Sequence, residues 1–296
     1  MNIDVIATPS VTDNIIKRYN LRLNHGMGQN FLIDQNIVKK IIAASDIKED
    51  DTIIEIGPGI GSLTQFLLNE VKEGRYIALE KDDKLNKVLQ EIFAHYNNTC
   101  FLNEDALEID WKSFFKKRDL ETEDIKIIAN LPYYITSTLI IKLLKLNLKI
   151  SRMIFMVQKE VAERMVADPG SKIFGSLSIA VQFYSHAYKI FDVPPTVFRP
   201  RPDVYSSIIC LEPYDEVPYN VKDRDLFFAI VRGIFQQRRK KIKNSLIKAS
   251  TINFTREEVL KGLKDSSINP DIRGEKLEIN KMVQLSNALY KVYIKN

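Results

Sequence analysis

Two cysteines, Cys100 and Cys210, and three histidines, His25, His95 and His186, are all that 296 residues provide of the usual metal-ligating side chains. Neither cysteine has a partner at CxxC spacing, so a disulfide framework or a structural zinc cage lacks its material. A reducing cytoplasm fits that usage best, and no metal is expected. Long apolar runs are also missing. The greasiest stretch, residues 139–150, is interrupted by Lys142, Lys145 and Lys149, short of the ~18 residues a membrane-spanning helix needs. Asp4 and Asp13 stand where a secretory or transit leader would be basic, and no long apolar segment follows them. Neither sign of charge dominates: 43 Lys and Arg face 38 Asp and Glu, a net charge of +5 that permits a polyanionic partner without requiring one. Charged residues are 27% and hydrophobic ones 45%, so the chain has the apolar content to fold around one large core or two smaller ones.

Residues 1–24 show little pattern and read as an N-terminal extension. From Asn36 the apolar positions Ile37, Val38, Ile41 and Ile42 recur at helical spacing. Residues 52–56 form a β-branched run that ends in Gly57-Pro58-Gly59-Ile60-Gly61, and helical periodicity resumes through Leu63, Phe66 and Leu67. Strand-like runs at 76–79, 100–102, 125–129 and 153–157 alternate with helical ones, the pattern of a parallel α/β sheet. Two last strand-like runs, 188–193 and 206–211, have no helix between them and read as an antiparallel, hairpin-type edge. Residues 168–172 (DPGSK) are rich in turn formers and suggest a mobile loop. Beyond a linker at 213–220 the pattern is helical only, over 224–235, 240–249, 256–263 and 276–290. The division expected is therefore an α/β domain over 25–212 and a small all-α domain over 221–296.

The glycine-rich turn joins a strand to a helix, where the backbone can approach a ligand and N–H groups are unpaired. Its spacing is G-x-G-x-G, one residue short of the dinucleotide fingerprint G-x-G-x-x-G, which weakens a nicotinamide-dependent reading. With Glu55 it becomes E-x-G-x-G-x-G, which resembles the motif of S-adenosylmethionine-dependent methyltransferases. Glu80 closes the next strand, where this fold class places a carboxylate for ribose hydroxyls. Asp105, after the third strand, suits an adenine amine or, equally, a helix cap. Lys81, Asp82 and Asp83 read as solvated helix-start charges.

Asn130-Leu131-Pro132-Tyr133 follows the fourth strand, on the carboxyl edge of the sheet. Methyl transfer to an exocyclic amine needs a lone pair that the adenine ring otherwise delocalises. The Asn130 amide oxygen and the Leu131 carbonyl can each accept an N–H and steer the nitrogen toward a nucleophilic geometry. Pro132 fixes the backbone, and Tyr133 offers a ring on which an extruded base can stack. An ordinary turn after a strand would also explain Asn-x-Pro.

These motifs, with Gly28-Gln29-Asn30-Phe31-Leu32, Gln158-Lys159-Glu160-Val161-Ala162 and the proline-rich segment 193–202 (VPPTVFRPRP), resemble the ribosomal RNA adenine N6,N6-dimethyltransferase family, and within it the bacterial small-subunit enzymes. The resemblance covers about residues 22–245. It implies a Rossmann-like methyltransferase domain, with a mostly parallel seven-stranded sheet and one antiparallel edge strand, followed by a small all-α domain. It also implies that Asn30, Leu32, Gly57, Gly59, Glu80, Asp105 and Asn130 line the S-adenosylmethionine site. Asn130, Leu131, Pro132 and Tyr133 would handle the target adenine, with Phe198 on its other side unless that ring serves only to pack the core. Tyr134-Ile135-Thr136-Ser137 departs from the more usual Asn-Ile-Ser after N-L-P-Y.

The partner implied is 16S rRNA in the small ribosomal subunit or a late assembly intermediate, with two adjacent adenosines of a hairpin near its 3′ end as targets. Arg238, Arg239, Lys240, Lys241 and Lys243 put five cations in six positions, read as a helix surface for a phosphate backbone. Lys159, Arg164, Lys172, Arg199 and Arg201 could extend that basic surface. A monomer without membrane contact is expected. Methylation of large-subunit 23S rRNA, or a mainly non-catalytic role in subunit assembly, remain open alternatives at this point.

Overall fold

The computed structural model describes residues 4–21, 29–121 and 123–293, and Gly28 of the segment before the first predicted helix lies outside them. Contacts divide the chain into two compact units, Met1–Ala162 with His186–Asp215, and Glu163–Ser185 with Glu216–Asn296.

The first unit contains α1 (Pro9–Arg18), β1 (Phe31–Leu32), α2 (Gln35–Ser45), β2 (Thr52–Ile56), α3 (Thr64–Glu70), β3 (Arg75–Leu79), α4 (Asp83–Ile92), β4 (Thr99–Leu102), α5 (Trp111–Lys117), β5 (Ile125–Asn130), α6 (Thr136–Lys145) and β6 (Ile150–Gln158). It continues through β7 (Ser185–Val193), β8 (Phe198–Arg199) and β9 (Ser206–Pro213), and α7 (Lys159–Met165) runs out of it. The main sheet has seven strands in the order β4-β3-β2-β5-β6-β9-β7. Pairs from β4 through β6 are parallel, and β9 is antiparallel to β6. β9 thus lies one position inside the margin, with β7 outermost. β2 is buried along its whole length, as a strand flanked by parallel neighbours requires.

The described part of the N-terminal extension, residues 4–21, packs onto the core. Ile6, Ala7 and Ile15 belong to the same core cluster as Ile53, Tyr76 and Leu89. The Ile6 N–H donates to Gln65 Oε1 at 2.9 Å and the Thr12 hydroxyl donates to the Ile6 carbonyl at 2.9 Å. Thr8, the N-cap position of α1, makes no side-chain cap, and Pro9 opens the helix instead, so the start signal was weak.

The second unit holds α8 (Ser176–Tyr184), α9 (Arg224–Gln236), α10 (Ile242–Ile247), α11 (Arg256–Asp265) and α12 (Ile279–Tyr293). It takes Glu163–Ser185 from within the expected first domain because of aromatic packing. Phe183 lies 5.0 Å from Phe227 and 5.2 Å from Phe228, and Phe174 meets Phe235 edge-on at 6.0 Å. The stretch 168–172, expected to be mobile, is tied down: the Gly170 N–H donates to the Glu275 carbonyl at 2.6 Å, and Arg238 donates to the Lys172 and Phe174 carbonyls at 2.7 Å each. Among the described residues no helix is long and apolar enough to cross a membrane.

Candidate active site

From β2 the chain winds outward through β3 and β4, then returns to β5 on the other side of β2. The carboxyl ends of β3, β2 and β5 are therefore neighbours at the point where the winding reverses, which is where open α/β sheets bind ligands. Glu80 follows β3, Gly57 follows β2 and Asn130 ends β5. A cleft partly open to solvent lies there. Of the expected cofactor residues, Asn30, Leu32, Gly57, Gly59, Glu80 and Asn130 line it, and so does Pro132.

The turn needs its glycines. Gly57 and Gly59 have φ of +67° and +62°, a region that side chains with a Cβ rarely enter. A Cβ on Gly59 would also lie 3.0 Å from the Phe31 ring. This curled backbone brings the Gly59 N–H to 3.1 Å from Glu80 Oε2, while the Asp82 N–H donates to Oε1 at 2.9 Å. Both oxygens of Glu80 are thus held by backbone donors, with the Lys81 N–H adding to the two. Asn103 donates to the Glu80 and Lys81 carbonyls at 2.9 and 3.0 Å and fixes the strand end. Glu80 is 7% exposed, and burial pushes its pKa up to about 7 against the opposing pull of those N–H groups.

Asn130 is oriented by the first motif. Its Nδ2 donates to the Asn30 carbonyl at 2.9 Å, so the amide oxygen is left as an acceptor. The Leu131 N–H donates to the Met156 carbonyl across the sheet, and the Leu131 side chain is buried. The Thr136 hydroxyl donates to the Pro132 carbonyl at 3.2 Å, tying the turn to the start of α6.

Other expected residues stand elsewhere. Asp105 does not line the cleft: Oδ2 pairs with Lys81 at 2.7 Å and Oδ1 accepts the Leu107 N–H at 2.9 Å. Burial works to raise its pKa, but Lys81 and the Leu107 N–H outweigh it and leave the carboxyl lowered. Lys81 and Asp82, read as plain surface charges, do line the cleft, and Asp82 also caps α4. Tyr133 is half-buried, its hydroxyl 2.9 Å from Ser206 Oγ, and burial raises its pKa. Tyr134, the departure from the common motif, lines the cleft instead and is 61% exposed. Phe198 is only 4% exposed and belongs to the core cluster with Phe31 and Leu32. The cause is pairing of β1 with β8, which sets Leu32 opposite Phe198. Its ring packs against that cluster.

Two cleft residues carried no earlier assignment. Glu55 is 1% exposed and accepts hydrogen bonds from the Thr64 hydroxyl at 2.7 Å and from the Tyr76 hydroxyl. Burial raises its pKa to about 7 despite both donors. The Ser62 hydroxyl is buried with no hydrogen-bond partner among the described residues, which suits a polar ligand group. The five expected RNA-binding cations do not share a helix. Arg238, Arg239 and Lys240 sit in the turn after α9, and Lys241 is the N-cap of α10. The Ile242 N–H donates to the Ile272 carbonyl, and the backbone at Lys241 bridges to Arg273, so the chain is claimed by a neighbouring segment before α10 begins. Lys241 and Lys243 both pair with Asp271, whereas Arg239 and Lys240 are exposed.

The family description "Ribosomal RNA adenine dimethylase" matches residues 20–291. The chain belongs to the ribosomal RNA adenine dimethylase family. Its similarity to other dimethylases extends over nearly full lengths. A protein of Halothermothrix orenii named Ribosomal RNA small subunit methyltransferase A is 53% identical over 289 residues, 97% of this chain and 95% of the relative. One of the same name from Geobacillus sp. is 41% identical over 99% and 100% of the two chains. Among solved structures, a dimethyladenosine transferase from Plasmodium falciparum superposes with a TM-score of 0.75 at 26% identity, over 88% of this chain and 98% of that one. The 23S rRNA methyltransferase ErmE shares the fold, with a TM-score of 0.67 at 22% identity over 88% and 100%. Among the described residues no group of three or more His, Cys, Asp and Glu could hold a metal ion.

Proposed function

We propose that this dimethylase transfers methyl groups from S-adenosylmethionine to N6 of adenine in small-subunit rRNA, converting two adjacent adenosines of a hairpin near the 3′ end of 16S rRNA to N6,N6-dimethyladenosine. The observation that carries the reading is the Asn130 carboxamide, locked by the Asn30 carbonyl beside the glycine turn. Names of the long-matching relatives support small-subunit rRNA over the large-subunit target. The cleft fits the cofactor on its own evidence: a buried acceptor at Glu80, a backbone that admits close approach at Gly57 and Gly59, and an unpartnered buried hydroxyl at Ser62.

When bound, S-adenosylmethionine supplies an electrophilic methyl group carried on a sulfonium. Glu80, held in place by the Gly59 and Asp82 N–H groups, would hold the cofactor's ribose. The Asn130 amide oxygen and the Leu131 carbonyl would accept the N6 hydrogens of the adenine, two before the first transfer and one before the second, and so orient the nitrogen lone pair toward the donor. Positive charge that develops on N6 is stabilised by the same two acceptors, and the N6 proton then leaves to water. Tyr133, its hydroxyl held by Ser206, supplies a ring at the edge of the loop.

The test is methyl transfer from labelled S-adenosylmethionine to small ribosomal subunits lacking this modification, followed by nucleoside mass spectrometry. Dimethyladenosine is expected with wild type. Loss of one preorganised polar contact of this kind typically costs ~100-fold or more in rate, so Asn130→Ala should fall by at least that while the cofactor still binds. Absence of product with wild type would overturn the reading. Normal subunit maturation by an inactive Asn130→Ala chain would show that assembly does not need the chemistry.

A further inference from the structure

Few large apolar side chains are exposed among the described residues, and two of them are sequence neighbours, Val204 and Tyr205, the latter 53% exposed. They stand immediately before β9, in a stretch that includes the exposed Arg199, Arg201 and Asp203. A single exposed tyrosine would mean little. This one is held twice by a single neighbour, Lys159. Its carbonyl accepts the Lys159 N–H at 2.9 Å, and the Lys159 ammonium lies 5.9 Å from the centre of its ring. Lys159 is itself held over the ring by Asp192 at 2.7 Å, and Asp192 accepts the Ser207 hydroxyl at 2.7 Å from the same strand. The residue between, Ser206, is hydrogen-bonded to the Tyr133 hydroxyl at 2.9 Å. The Tyr205 ring is therefore keyed, through one residue, to the loop that receives the target adenine.

We propose that Tyr205 is a stacking platform for an unpaired RNA nucleotide next to the target adenine. The inference rests on the reading of the site as an adenine methylation centre. Extruding one base strips its neighbour of a stacking partner, and an aromatic face at the rim replaces what was lost. A cation beside the ring holds the platform, and Arg201, exposed and without an ion pair among the described residues, is placed in the same segment to meet a phosphate. Such a surface fits a flat base joined to an anionic backbone better than an apolar protein face, because only Val204 extends its apolar area.

The test compares Tyr205→Phe, which keeps a ring, with Tyr205→Leu, which keeps bulk without one; Leu260→Ala, in the helical unit, controls for loss of exposed apolar surface. Binding of a short single-stranded oligoadenylate carrying 2-aminopurine is read by fluorescence, and methylation of unmodified small subunits is resolved into KM and kcat. Tyr205→Leu should raise the oligoadenylate Kd and the KM for subunits about tenfold, with kcat and cofactor affinity near wild type; Tyr205→Phe and Leu260→Ala should match wild type. A wild-type Kd for Tyr205→Leu, or a Tyr205→Phe chain as weak as Tyr205→Leu, would overturn the platform. If the wild-type chain fails to methylate subunits, the methylation reading falls, and the oligoadenylate comparison still decides the platform.

Discussion

Glu80 has a task and an environment that pull in opposite directions. Holding the cofactor's ribose favours the carboxylate, whereas burial raises its pKa to about 7. In the unliganded protein the sign is that of a raised acid: its contribution to stability is full below the unfolded value near 4.5 and is lost as pH rises through about 7. Cofactor binding has the reverse dependence, since the proton must leave first. Affinity for S-adenosylmethionine should fall as pH drops below about 7, by no more than tenfold per pH unit for one group, and calorimetric titrations on either side of that pH would show it. Glu55 titrates in the same range behind the glycine turn and keeps its share, so Glu80→Gln should lower affinity and flatten the pH profile only in part. A Glu80→Gln chain with the wild-type profile would remove Glu80 from the site.

Among the elements, α1 and the glycine turn make the most direct predictions. Ile6 is fully buried beside α1, and truncating such a side chain typically costs ~2–5 kcal/mol. Ile6→Ala should lower the denaturant midpoint accordingly while leaving the cleft residues in place. Gly59→Ala meets both a positive φ and the Phe31 ring, so cofactor affinity should drop even in protein that folds. The same elements show what a sequence displays and what it hides. The glycine turn, Glu80 and the Asn130 loop were legible because each is local, a short motif at the end of a strand whose neighbours the alternating pattern implies. α1 was not, because it lacks a capping side chain and its burial is decided by a distant sheet. Phe198 stayed open between the site and the core for the same reason: its burial goes with the β1–β8 pairing, which joins residues far apart in the chain. Lys240 to Lys243 looked helical from spacing, yet backbone bonds to residues 270–273 delay α10 until Ile242.

At the scale of the molecule, the basic surface must be divided by what each cation already does. Arg238 donates to two carbonyls of the 168–175 stretch and faces Glu275 at 3.8 Å, so replacing it should loosen the helical unit and lower the melting temperature. Arg239 and Lys240 are the cleaner test of RNA contact. The double variant Arg239→Gln, Lys240→Gln should weaken binding to small subunits, reduce the slope of log affinity against log salt by about 1–2, and leave S-adenosylmethionine affinity intact. An unchanged slope would take these two side chains away from the phosphate backbone.

The helical unit draws Glu163–Ser185 from the middle of the chain and the remainder from its end, which gives synthesis an order. As the chain leaves the ribosome at ~5–20 residues per second, Phe174 and Phe183 emerge seconds before Phe227, Phe228 and Phe235, the rings they pack against. During that interval α8 is an apolar helix without its cover, and a message that stalls between codons 214 and 226 yields a product whose sheet strands are all made but whose α8 has nothing to close on. Such truncated chains should be the ones that chaperones and proteases hold.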